Sequence, residues 1–276
     1  MFVIKFITGR NLVMLNKNRA ALIIAVAFIL LNINIAFAGP IEDCKEYSRM
    51  GIPSKQGELL CRKGFLLAYS SIYKTPIWVI EHLTAEKAQG NLSISKKFQP
   101  DPDLKEGEQA ELDDYKNSGY NRGQMAPVAN MKWNQQAMDE SLYLSNVVPW
   151  VGERRKHGIL KSIEERVRDL AINRGALYIF TGPIYEDGMI KKIGSNKVAV
   201  PTHIFKIIYD PYKVEAIAFI MPNEEPSTAN MHTYLVTIRD IERKTGLNFL
   251  SNLNENFRTV IENKKAQVIW WEDLHR

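Results

Sequence analysis

YNRGQMAPVANM, residues 120–131, packs Arg122, Gly123, Ala126 and Pro127 into a few positions, with side-chain amides at Asn121 and Gln124. Gly and Pro mark it as loop or turn. Downstream, NMKWNQQAMDESLYLSNVVPW starts as a short helix over 132–139 and becomes extended near 143–146. HGILKSIEERVRDLAINRG, residues 157–175, is the strongest helix of the chain. Ile159, Leu160, Ile163, Val167 and Leu170 share one face, and Arg174-Gly175 ends it.

Upstream, FLLAYSSIYKTPIWVIEHLT (65–84) reads as two strands joined by a turn. Residues 91–118, rich in Pro and acids, read as loop, and 39–62 as loop or short helix. After the long helix come three strands, at 176–185, 197–210 and 214–223, then a helix over 237–250 stopped by Gly246. The remainder reads as loop with a short strand at 266–271. No repeat or linker is visible. The pattern predicts one α+β domain, a mixed, mainly antiparallel sheet flanked by helices.

The first 38 residues are read separately. Lys5, Arg10, Lys17 and Arg19 precede an apolar run that ends in Ala36-Phe37-Ala38, with no acid anywhere. This predicts a cleaved secretory signal over 1–38, an uncleaved anchor being the other reading, and hence a secreted or periplasmic protein with no membrane contact after cleavage. The formal charge is +5, of which four come from residues 1–38, leaving about +1. A globally basic protein is therefore not implied, and clusters count instead. Lys96-Lys97 and Arg154-Arg155-Lys156-His157 are candidates, while Lys191-Lys192 and Lys264-Lys265 read as solvated faces. Cys44 and Cys61 are the sole cysteines, so a disulfide between them is expected in the 39–64 segment, ahead of the main domain at 65–276.

NRGQMAPVANM, ESLYLSNVVPW, GILKSIEERVRDLA, YIFTGPIY, VAVPTHIFKII, AIAFIMPN and IERKTGLNFL follow one another in the order found in the DNA/RNA non-specific endonucleases, and the chain resembles that family over about residues 62–252. The resemblance implies the ββα-metal nuclease fold and hydrolysis of phosphodiester bonds in DNA and RNA. In that family the loop reads Asp-Arg-Gly-His. Its His takes a proton from the attacking water, an Asn on the following long helix holds one Mg²⁺, arginines bind the phosphate, and a helix Glu supports the metal's water shell. Arg122 matches the loop arginine, Asn146 the Asn that helps build the site, and Glu164 and Arg168 the helix pair, four residues apart on one face. Lys96 or Lys97 falls where a phosphate-contacting arginine is expected.

Three positions depart from the family pattern. Asn121 stands for the Asp, Gln124 for the general base, and Lys156 for the metal-holding Asn, an alignment that can shift onto Arg155 or His157. A glutamine amide orients a water but does not accept its proton, and loss of a positioned base costs ~10²–10⁴ in rate. An ammonium at Lys156 cannot bind Mg²⁺, yet it carries a charge of the right sign for phosphate oxygens. Together with Arg122 and Arg168 it would form a three-cation clamp. The expectation is therefore an endonuclease requiring no metal, with Mg²⁺ needed if the family's usual mechanism holds and the metal ligands otherwise unknown. The base stays open among His157, Glu164 and a phosphate oxygen. The alternative is an inactive relative that binds nucleic acid or a partner protein. His203 reads as a satisfied strand histidine, and His82 and His232 carry no signal.

Overall fold

The computed structural model describes residues 44–151, 159–186, 188–224, 231–266 and 270, all within one compact unit, Pro40–Arg276. Among the described residues the strands are β1 (Glu58–Cys61), β2 (Phe65–Ser70), β3 (Thr75–Thr84), β4 (Asn121–Gln124), β5 (Val147–Trp150), β6 (Ala176–Ile184), β7 (Lys192–Ile193), β8 (Val198–Ala199), β9 (His203–Asp210), β10 (Glu215–Pro222) and β11 (Leu235–Val236). The helices are α1 (Lys45–Ser48), α2 (Ala85–Ala88), α3 (Leu112–Tyr115), α4 (Gln135–Ser141), α5 (Ile159–Arg174), α6 (Ile238–Thr245) and α7 (Glu255–Asn263). Seven strands form one sheet in the order β1-β2-β3-β6-β9-β10-β11, every neighbouring pair antiparallel.

Period-two alternation splits the sheet's side chains between two cores. Phe65, Leu67, Val79, Leu83, Leu177, Ile179, Ile204 and Ile208 face α5, whose Leu160, Ile163, Val167 and Leu170 complete that layer. Leu66, Ala68, Trp78, Ile80, Tyr178, Phe180, Phe205 and Ile207 face the other way, toward Ile238 and Ile241 of α6 and Phe249. The stripe on α5 is therefore what seats that helix, each large side chain contributing about 1.5–3 kcal/mol. Gly175, at φ +93°, closes the helix, its N–H reaching Ala171 O at 2.9 Å. Thr237 and Asp240 cap α6 reciprocally, and Gly246 at φ +70° ends it.

A disulfide joins Cys44 to Cys61, with Cα atoms 5.8 Å apart, tying α1 to the edge strand. Several expectations are corrected. Part of the 39–62 segment is strand, β1, held by pairing with β2. Residues 144–146 form a 3₁₀ turn, not an extended segment, because the chain reverses there into β5. Within 197–210 the run divides into β8 and β9 around Pro201, which cannot donate to a ladder. Helix α7 has a weak apolar signal, since Phe257 and Val260 are exposed and Ile261 alone of its apolar residues is buried. Of the strand expected at 266–271, Ala266 is outside any strand, and 267–269 and 271 lie outside the described residues. No described helix is long and apolar enough to cross a membrane.

Candidate active site

The loop of residues 120–131 forms β4 and pairs with β5 in a separate two-stranded ribbon, with Asn121 opposite Trp150 and Gln124 opposite Val147. Gly123 is required by close approach, since a Cβ there would lie 2.8 Å from the Trp150 Cβ. Asn146 is fully buried beneath this ribbon. Its Oδ1 accepts from Ala126 N at 2.9 Å, and its Nδ2 donates to Ala126 O at 2.8 Å and Ser141 O at 2.9 Å. It shapes the loop from below and does not face the cleft.

Gln124 is pinned at both ends. Its Nε2 donates to Ser141 O at 2.7 Å, and its Oε1 accepts the Val128 N–H at 3.3 Å. The carboxamide orientation follows from these partners, with one acceptor lone pair and one N–H remaining. Arg122 is exposed, its guanidinium carbon 4.8 Å from the centroid of the Phe98 ring. A guanidinium lying over a ring keeps its N–H edges turned outward, where a planar anion can meet them.

Helix α5 crosses beside the ribbon. Asn121, Arg122, Gln124, Pro127 and Trp150 from one side, and Leu160, Lys161 and Glu164 from the other, line a cleft of about 290 Å³. Arg168 lies one turn beyond Glu164 and is half-buried; its Nη1 donates to Asn130 Oδ1 at 3.2 Å. Asn130 Nδ2 in turn donates to Glu81 Oε2 at 2.8 Å. Glu81 sits on β3, 2% exposed, and its Oε1 has no hydrogen-bond partner. Burial pushes its carboxyl up to about 7, against the pull of Lys206, the Asn130 hydrogen bond and Arg168, while Glu164 pushes the same way as burial. Lys206 is also buried and donates to Thr181 Oγ1 at 2.9 Å.

The structure thus brings Asn121, Arg122, Gln124 and Glu164 to one cleft, with Arg168 behind it and Asn146 below. Lys96 and Lys97 are exposed and do not line the cleft, and Lys96 pairs with Asp139 at 2.9 Å. Arg155, Lys156 and His157 lie outside the described residues. His203 has a hydrogen-bond partner in Thr202 Oγ1 at 3.0 Å. Trp150, Lys161, Asn130 and Glu81 were not singled out from the sequence. A signal for the last was present: Glu81 with His82 interrupts the otherwise apolar run TPIWVIEHLT.

For an Mg²⁺ ion, the described lining offers one carboxylate, Glu164, and the amide oxygens of Asn121 and Gln124, the latter engaged by Val128. No cluster of three or more His, Cys, Asp or Glu side chains able to hold a metal occurs among the described residues. A single carboxylate fits an Mg²⁺ that keeps most of its waters and takes its other ligands from substrate phosphate.

The family model described as DNA/RNA non-specific endonuclease matches residues 45–256. A yeast (Saccharomyces cerevisiae) protein named mitochondrial nuclease is 32% identical over 89% of this chain and 82% of its own length. Human endonuclease G, mitochondrial, is 32% identical over 75% of this chain and 74% of its own. The zebrafish (Danio rerio) mitochondrial nuclease EXOG is 34% identical over 75% of this chain, which spans 65% of that protein. A crystal structure of an EndoG/EndoGI complex aligns with a TM-score of 0.72 and 30% identity, covering 77% of this chain and 93% of that one. These names correct the expectation of a secreted or periplasmic protein, since they point to mitochondria. The physical reason for the error is that a basic, acid-free leader is common to secretory signals and mitochondrial transit segments.

Proposed function

The chain belongs to the DNA/RNA non-specific endonuclease family, and from that premise we propose that it is a nuclease that hydrolyses phosphodiester bonds of DNA and RNA in the cleft between β4 and α5. The observation that carries this reading is that Arg122 and Gln124 of the motif loop and Glu164 of the helix line one cleft of about 290 Å³. These are the stretches to which the resemblance assigns the chemistry, and they are 40 residues apart from Gln124 to Glu164.

Arg122, held over Phe98, binds the non-bridging phosphate oxygens with its outward N–H edges. Arg168 adds a second guanidinium for the negative charge that grows on the phosphate oxygens as water attacks. Gln124, fixed by Ser141 and Val128, lends its remaining lone pair to a water without taking the proton. Glu164 is the one carboxylate of the described lining, and so the proton acceptor there. The phosphate-centred contacts predict little base preference. Mg²⁺ held beside Glu164 and the substrate phosphate would neutralise the phosphate and stabilise the leaving 3′-oxygen. Lys156 stands where the resemblance places the metal-holding Asn, and its ammonium, with Arg122 and Arg168, supplies positive charge without a metal.

A binding-only protein is favoured by one observation: both ends of the Gln124 amide are engaged by backbone, so the loop's base position does no proton chemistry. Digestion of plasmid DNA and of RNA by the protein, in Mg²⁺ or in EDTA, separates the readings. Cleavage of both polymers that persists in EDTA and disappears in Lys156→Ala is expected. Cleavage in Mg²⁺ alone would keep the nuclease and discard that part for Lys156. Tight binding without cleavage under either condition would establish the binding-only reading.

A further inference from the structure

Glu81 sits in the middle of the central sheet, on the face packed against α5, among Val79, Leu83 and Ile179. Packing alone gives no reason for a carboxylate there. A buried carboxyl with one oxygen lacking a partner is destabilising, and an apolar side chain of similar volume would fill the space at lower free energy. What the carboxylate does that an apolar group cannot is accept the hydrogen bond from Asn130 Nδ2.

The chain Glu81–Asn130–Arg168 runs in one sense. A guanidinium only donates, so Arg168 fixes the Asn130 oxygen toward itself. That turns the Asn130 NH₂ toward β3, where an acceptor must be waiting. Asn130 is 2% exposed, in the 3₁₀ turn that follows Pro127, so the chain links sheet, motif loop and helix. Its far end, Arg168, is half-buried one turn from Glu164 of the cleft.

We propose that Glu81 is a positioning residue for the nuclease site: acting through Asn130, it holds the Arg168 guanidinium in the one orientation that meets the phosphate. This rests on the nuclease reading above. Lys206, which donates to Thr181 on the same face, supplies the positive charge that keeps a carboxylate tolerable in this layer. With Leu at position 81 the Asn130 NH₂ has nothing to donate to, and its amide no longer has a preferred face for Arg168.

The test is a double-mutant cycle on the full chain, read as kcat and KM on plasmid DNA and as Kd for a fluorescein-labelled phosphorothioate DNA duplex. Glu81→Leu is expected to lower kcat roughly tenfold, the worth of one hydrogen bond to a charged group, with KM changed less than twofold. Glu81→Gln, whose carbonyl still accepts from Asn130, is expected to lose less. In an Arg168→Ala background Glu81→Leu is expected to cost nothing further. Losses that multiply across the cycle, or a Glu81→Leu variant with undiminished kcat, would overturn the proposal. If Glu81→Leu fails to fold by circular dichroism, Asn130→Ala takes its place in the same cycle with the same criteria. A protein that binds the duplex without cutting would refute the nuclease reading alone; a loss of Kd in Glu81→Leu that vanishes in the Arg168→Ala background would then support the positioning role, and no loss, or one that persists there, would refute it.

Discussion

Glu164→Ala is expected to lower kcat by about 10²–10⁴-fold, the usual contribution of a positioned acid–base group, while leaving the fold intact. Glu164 is half-exposed on the cleft side of α5, off the stripe of Leu160, Ile163, Val167 and Leu170 that seats the helix. Its truncation removes no core volume, so the fold should persist. Glu164→Gln should be nearly as severe as the alanine, because an amide neither takes a proton nor carries the charge that anchors a hydrated cation. Single-turnover rates beside a thermal melt separate these effects. A Glu164→Gln variant with wild-type turnover would show that the carboxylate takes no part, and would move the base to His157 or to the substrate phosphate.

The second large effect concerns stability and has the opposite sign. Folded, the Glu81 carboxyl keeps its proton up to about 7; its ordinary value, expected when unfolded, is 4.5. Between those values the folded state binds the proton more strongly than the unfolded state, so stability falls as pH rises through the window. The charged groups that bear on it are Lys206 on β9 and Arg168 and Glu164 on α5. Glu81→Gln removes the titration. Relative to the wild type, it should gain about 3 kcal/mol between pH 4 and pH 8. For a chain of this size that corresponds to a relative rise in Tm of roughly 6–12 °C. Melts of both proteins across that range check it, and parallel pH profiles would contradict it. The same carboxylate would thus cost stability while orienting the guanidinium, a trade common at functional sites.

What could be read from the sequence was whatever local pattern specifies. The α5 stripe, the buried strand β6, the glycine stop after α6 and the Cys44–Cys61 bridge each depend on a few neighbouring residues, and the structure contains all four. The motif loop and the helix carboxylate could be paired through the family's order of segments, and they share a cleft. The Glu81–Asn130–Arg168 chain could not be read, because its members lie 49 and 38 residues apart and meet only once sheet, loop and helix have packed. Asn146 illustrates a limit of another kind. Its place beside the site was legible, but the number of backbone groups it holds, and hence its burial, depends on how β5 returns under β4. Helix α7 and strand β1 are short and half-exposed, so their periodicity is too weak to register. The expected destination was overturned because the charge and apolarity of residues 1–38 do not by themselves encode one.

The central claim, that the β4–α5 cleft is where phosphodiesters are hydrolysed, is tested most directly by nicking of supercoiled plasmid by the wild type and by an Arg122→Ala/Glu164→Ala double variant under identical buffer and metal conditions. The wild type should convert the plasmid to nicked and then linear forms, and the double variant should leave it supercoiled while melting at the same temperature. Equal nicking by a well-folded double variant would place the chemistry elsewhere and contradict the account.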